Sequence, residues 1–124
     1  MTFNLLPTLL VTDDDPIVRK MIRFSLRSMQ VLILEASSGK DAISLLERQI
    51  PELIILDYDL GDITASRFLE LLSLQGIRIP KIILLTSYEE EFITSQNLND
   101  QVSRVITKPF SPKELLLLVK ELLS

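Results

Sequence analysis

The chain has 124 residues, 47% apolar and 24% charged, with a formal net charge of −4 at pH 7. That length suits one ordinary domain with a real core, and the composition is globular rather than disordered. There is no Cys and no His, which excludes disulfides, thiolate zinc sites, cysteine nucleophiles, and the commonest general base and transition-metal ligand.

Any metal must therefore be held by oxygen, which points to a hard ion such as Mg²⁺. The acidic balance and the lack of a basic stripe argue against direct nucleic-acid binding by this chain. No apolar run reaches the roughly eighteen residues a membrane helix needs. The opening stretch, MTFNLLPTLLVTDDD, lacks the basic region and small-residue cleavage site of a signal peptide. The expectation is a cytoplasmic protein with no membrane segment.

Taken in order, Thr8–Thr12 is the first short apolar run, and it leads straight into Asp13-Asp14-Asp15. Asp15 precedes Pro16, the pattern of an N-cap followed by proline at the first helical position. Ile17, Met21 and Phe24 then form one face of a helix. Val31–Glu35 predicts a second strand, and Ala42, Leu45, Leu46 and Ile50 form the face of a second helix. Leu53–Asp57 predicts a third strand that ends on Asp57, before a helix with Phe68, Leu71 and Leu72 on one face. Ile82–Thr86 predicts the fourth strand, closing on Thr86-Ser87, and Glu89–Leu98 is a weaker, shorter helix candidate. Val102–Thr107 predicts the fifth strand and runs into Lys108-Pro109. Ser111-Pro112-Lys113-Glu114 opens the last helix with a capping Ser, a Pro and a Glu three after the cap.

The first four runs are almost continuously apolar, as expected for parallel strands covered on both faces. Alternating strands and helices predict right-handed βαβ units and an α/β fold with an open five-stranded parallel sheet, as one domain over residues 1–124.

In such a fold ligands bind beyond the carboxyl ends of the strands. Four strands here deliver Asp13 and Asp14, Asp57, Thr86 and Lys108 to that edge. Asp13, Asp14 and Asp57 crowded together would repel each other and have raised pKa values unless a cation neutralised them. Mg²⁺ would supply that cation. Asp57 follows four apolar residues, so it stands where a buried strand emerges, and its carboxylate could attack an activated phosphorus to form an acyl phosphate. The metal and Lys108 would offset charge on the phosphoryl oxygens. The Thr86 hydroxyl could turn toward a new phosphoryl oxygen and draw a loop inward. Plainer roles exist for each: a helix cap for an Asp, a solvated Lys, a Thr chosen for strand propensity. The plain role is preferred only for Asp15.

Four segments carry a resemblance: Leu9 to Pro16, Pro51 to Asp57, Leu84 to Ser87, and Thr107 to Phe110. In this order and at these spacings the chain resembles, over essentially its whole length, the receiver domain of two-component response regulators. The resemblance implies a doubly wound, flavodoxin-like (βα)5 fold with strand order 2-1-3-4-5. It implies Asp57 as phosphoacceptor, served by a partner histidine kinase, a phosphotransfer protein or a small phosphodonor. It implies Mg²⁺ held directly by Asp14 and Asp57, by Asp13 mainly through water, and by the backbone carbonyl of Asp59. Lys108 would pair with the phosphoryl group, and Thr86 would be the switch hydroxyl. Activity would stop at self-phosphorylation and autodephosphorylation.

Three departures from the family pattern stand out. Val105 replaces an aromatic residue often found three before the lysine. Leu60-Gly61-Asp62-Ile63-Thr64-Ala65 replaces a loop that tends to carry Met-Pro and then Asp-Gly. Asp59 and Tyr88 occupy positions that tune phosphoryl lifetime. The resemblance places signal output on the fourth helix, fifth strand and fifth helix. There Leu115, Leu116, Val119, Leu122 and Leu123 share one helical face, with Leu118 on its flank and Leu117 nearly opposite. Leu117 and Leu118 thus mark a homodimer or effector contact. Two alternatives remain at this point: a pseudo-receiver that signals by docking alone, and a phosphatase of the haloacid-dehalogenase type, suggested by Asp57-Tyr58-Asp59. The latter would place that motif after the first strand, and here the acidic pair comes at the start.

Overall fold

The computed structural model describes residues 6–89, 92, 98 and 100–124. The apolar runs become β1 (Thr8–Thr12), β2 (Leu32–Ala36), β3 (Leu53–Asp57), β4 (Lys81–Thr86) and β5 (Arg104–Thr107). All pair in parallel, in the order β2-β1-β3-β4-β5, which is the expected doubly wound topology. The periodic stretches become α1 (Pro16–Ser25), α2 (Gly39–Arg48), α3 (Ala65–Leu74) and a C-terminal helix (Pro112–Leu123). The candidate helix at Glu89–Leu98 lies, apart from residues 89, 92 and 98, outside the described residues.

Each helix starts where a short polar side chain can take a backbone N–H that has no partner within the helix. Asp15 accepts from Ile17 N, Ser38 from Asp41 N, Thr64 from Arg67 N and Ser111 from Glu114 N. The cap reading of Asp15 therefore holds.

Side chains along β1, β3 and β4 alternate between two separate cores, because successive residues point to opposite faces of a sheet. Leu10, Ile54, Leu56, Ile82 and Leu84 pack with α2 and α3 through Ala42, Leu46, Phe68 and Leu72. Leu9, Val11, Leu53, Ile55, Ile83 and Leu85 pack on the other face with Ile22 and Leu26 and with Leu115, Val119 and Leu122 of the C-terminal helix. Both faces are dry, which is why these strands are apolar without alternation. Phe68 is fully buried, so Phe68→Ala should lower unfolding free energy by about 3–5 kcal/mol. The midpoint of urea denaturation would read that loss.

Two expectations need correction. β2 is an edge strand with a half-exposed surface, so its apolar run does not mean cover on both faces. In α1 the face Ile17, Met21, Phe24 points to solvent, with Ile17 67% and Phe24 58% exposed. The core is met instead by Ile22 and by Val18, about one residue further round the helix. Two adjacent apolar stripes run along α1, and periodicity cannot say which one faces the sheet.

Candidate functional site

β1 and β3 are neighbours, with Thr12 opposite Leu56, so the residues that follow emerge side by side. Their connections leave in opposite directions across the sheet, which opens a crevice at the strand ends. Asp13 is 1% and Asp57 8% exposed, while Asp14 faces solvent. One oxygen from each of the three carboxylates lies within 4.8 Å of the others. On the next strands, Leu85 stands opposite Asp57 and Thr86 opposite Thr107, which brings Thr86 and Lys108 to the same edge. Lys108 Nζ lies 3.1 Å from Asp57 Oδ1 and 3.2 Å from Asp13 Oδ2. A cis peptide bond joins it to Pro109.

The surrounding backbone holds these groups in place. Asp13 Oδ1 accepts from Asp15 N at 2.9 Å, and the Arg19 guanidinium donates to the Asp13 carbonyl at 2.7 Å. Arg19 is in turn paired with Glu35 at 3.1 Å. Thr86 is buried, and its hydroxyl oxygen accepts from Tyr88 N at 2.9 Å. The five side chains expected to act together, Asp13, Asp14, Asp57, Thr86 and Lys108, are thus gathered at one rim of the sheet.

Burial, and next the charge of Asp13, push the Asp57 carboxyl up to about 6, although Lys108 pulls the other way and Asp14 adds to the rise. Burial works against the Lys108 ammonium, but Asp57 and Asp13 raise its pKa on balance. Three carboxylates against one ammonium leave the pocket net negative. An all-oxygen donor set with that excess charge fits a hard divalent cation, the ligand chemistry of Mg²⁺.

The loop after β3 closes on itself. Ala65 N donates to the Tyr58 carbonyl at 2.6 Å and Leu60 N to that of Ile63 at 3.0 Å. Asp59 pairs with Thr64 in an isolated antiparallel bridge, and its side chain accepts from Gly61 N at 3.1 Å. Gly61 has φ of +87°, and a Cβ there would stand 3.1 Å from Asp14 Oδ2. Glycine is needed at this position for both the left-handed turn and the close approach.

Known proteins settle the family. The model of the response regulator receiver domain matches residues 9–120. The chain belongs to that family. Among curated relatives, a protein described as an uncharacterised 14.6 kDa product of Leptolyngbya boryana is 34% identical over 117 residues, covering 91% of this chain and 87% of its own. PhoP of Bacillus subtilis, an alkaline phosphatase synthesis transcriptional regulatory protein, is 31% identical over 93% of this chain. PhoB of Escherichia coli, a phosphate regulon transcriptional regulatory protein, is 32% identical over 90% of it. The receiver domain spans 48% of PhoP and 49% of PhoB. In fold it is similar to the chemotaxis response regulator CheY4 of Vibrio cholerae, with a TM-score of 0.83 at 20% identity, covering 95% of this chain and 99% of that one. A CheY-like receiver domain protein of Methanospirillum hungatei gives 0.82 at 24% identity, covering 94% and 93%.

Two features of this receiver domain go beyond the sequence reading, which singles out Tyr88 alone among the aromatic residues near the site. Tyr58, Tyr88 and Phe92 form a ring cluster, with Tyr58 edge-on to Tyr88 at 5.1 Å and to Phe92 at 5.4 Å, and Tyr88 stacked on Phe92 at 4.5 Å. Aromatic residues thus lie at the carboxyl end of β3 while Val105 is exposed on β5. Tyr88 and Phe92 are four residues apart in the stretch after β4, whereas Tyr58 follows β3, and only the pairing of β3 with β4 brings the three together. Asp62, read only as part of an unusual loop, bonds to the start of α2.

Proposed function

We propose that this receiver domain accepts a phosphoryl group on Asp57 in a Mg²⁺-dependent reaction. A histidine kinase or phosphotransfer protein would supply the group, or a small phosphodonor could do so. The observation that carries this reading is the Lys108 ammonium bridging Asp57 and Asp13 at 3.1 and 3.2 Å, beside the exposed carboxylate of Asp14. Lys108 holds one oxygen of Asp57, which leaves the other to attack phosphorus. The new O–P bond forms as the donor's P–N or P–O bond breaks, and the leaving group takes the electron pair. Mg²⁺ held by Asp14 and Asp57, by Asp13 through water and by the Asp59 carbonyl would neutralise charge in that pocket. With its pKa raised by burial only to about 6, Asp57 is mostly ionised, hence nucleophilic, at neutral pH.

Thr86 fits the switch role. Its oxygen already accepts from Tyr88 N, so the hydroxyl proton can still be given to a phosphoryl oxygen, linking the acceptor to the segment after β4. We read residues 1–124 as one such domain acting in the cytoplasm, with no turnover beyond self-phosphorylation and autodephosphorylation. No helix among the described residues is long and apolar enough to cross a membrane.

Incubation with Mg²⁺ and acetyl phosphate tests the reading by intact mass. A single labile phosphoryl addition that EDTA prevents is expected. No addition from acetyl phosphate or phosphoramidate, together with no beryllofluoride binding, would remove it in favour of docking alone.

Output would use β5 and the C-terminal helix, with a second copy or an effector as partner. Leu117 is 55% exposed, as expected, but Leu118 is half-buried and packs against the core. Leu117→Glu should therefore weaken self-association or effector binding about tenfold without unfolding the domain, read by analytical ultracentrifugation of the phosphorylated protein. Leu118→Glu should instead lower the melting temperature.

A further inference from the structure

The loop after β3 is fastened to α2 at a point remote from the acceptor in sequence. Asp62 Oδ1 accepts from Gly39 N at 2.8 Å and Oδ2 from Lys40 N at 3.0 Å. Oδ1 also accepts from Ile63 N at 2.9 Å. One carboxylate therefore spans the first turn of a neighbouring helix, where unpartnered N–H groups and the helix dipole both favour a negative charge. Although slight desolvation of this exposed side chain acts against ionisation, the N–H groups of Gly39, Lys40, Asp62 and Ile63 hold its carboxyl below the ordinary value.

Packing seals the same junction. Gly39 is buried, and a Cβ there would collide with Cδ1 and Cγ1 at the end of the Ile63 side chain. Between this junction and β3 lie Asp59, whose carbonyl is assigned to the cation, and Gly61, which lies so near the Asp14 carboxylate that a Cβ there would stand 3.1 Å from Asp14 Oδ2. Displacing Ile63 would reach both through the short turn closed by Leu60 N and the Ile63 carbonyl.

We propose that Asp62 is a positioning residue for the cation site, stapling the β3–α3 loop to the N-terminus of α2 so that the Asp59 carbonyl and Asp14 are held in register. The inference rests on the Mg²⁺ reading above and extends it to a residue that touches neither metal nor phosphate. Part of the ordering a cation would otherwise impose is thereby already made.

Calorimetric titration with Mg²⁺ tests the proposal on the intact chain, with thermal unfolding in EDTA run in parallel. Asp62→Ala is expected to weaken Mg²⁺ binding about five- to tenfold. Asp62→Asn, whose amide oxygen can still accept from Gly39 N but whose NH2 cannot accept from Lys40 N, should lose clearly less than Asp62→Ala, about two- to threefold. Gly39→Ala keeps the charge but expels Ile63, and should also weaken binding severalfold. Ser38→Ala, which removes the other cap of α2, should lower thermal stability and leave Mg²⁺ affinity unchanged. Equal affinity in Asp62→Ala and the parent would overturn the proposal, as would equal loss in Asp62→Asn and Asp62→Ala, which would mean charge rather than position. A parent that binds no Mg²⁺ would instead defeat the underlying cation reading.

Discussion

Asp57→Asn is expected to abolish phosphoryl addition altogether, to below about one part in a thousand of the parent rate with the same donor and Mg²⁺. The amide keeps the shape of the carboxylate and can still accept from Lys108. It has no anionic oxygen to attack phosphorus, and catalysis that depends on a nucleophile falls by many orders of magnitude when the nucleophile is removed. Neither Asp13 nor Asp14 is placed to substitute for it. Asp13 is tied to Asp15 N and Lys108, and Asp14 stands at the exposed rim beside Gly61. Intact mass after incubation with acetyl phosphate reads the outcome directly. A phosphoryl group that persists in Asp57→Asn would move the acceptor to another residue.

The same substitution should stabilise the metal-free protein at neutral pH. Asp57 is raised from 3.8 to about 6, first by burial and then by the charge of Asp13. A carboxyl with a raised folded-state pKa binds its proton more tightly folded than unfolded. Its cost to stability is therefore absent below about pH 4, grows as pH rises toward 6, and is full above that. Each pKa unit corresponds to about 1.4 kcal/mol. Solvent at the rim screens part of this, so a gain of about 1–3 kcal/mol is expected for Asp57→Asn at pH 7.5 in EDTA. The gain should fade below pH 4 and shrink when Mg²⁺ stabilises the parent. Denaturant titrations at the two pH values, with and without Mg²⁺, check it. Equal stability of variant and parent at pH 7.5 would mean that the acidic cluster is less strained than its geometry implies.

The exposed stripe of α1 shows where sequence reasoning runs out. Ile17, Met21 and Phe24 have the spacing of a buried face, and so do Val18 and Ile22. Only the way α1 lies against the sheet separates them. Asp62 makes the same point for the site. As a sequence feature it is an acidic residue in a surface loop, and its partners Gly39 and Lys40 lie more than twenty positions earlier. Its role depends on α2 and the loop after β3 meeting across the crevice.

The strands, by contrast, were legible from the order of residue types. A buried parallel strand must be apolar on both sides, and its polar successors must therefore collect at its end. That rule located Asp13, Asp14, Asp57 and Thr86 at the ends of β1, β3 and β4, whereas Lys108 follows the mostly exposed edge strand β5 and was marked by its Thr-Lys-Pro-Phe segment. Their distances, the bridging of Asp57 and Asp13 by Lys108, and the rise of Asp57 to about 6 came from packing. These quantities depend on how deeply the rim is buried and which strands are neighbours. Both follow from long-range pairing, which residue order along the chain does not encode locally.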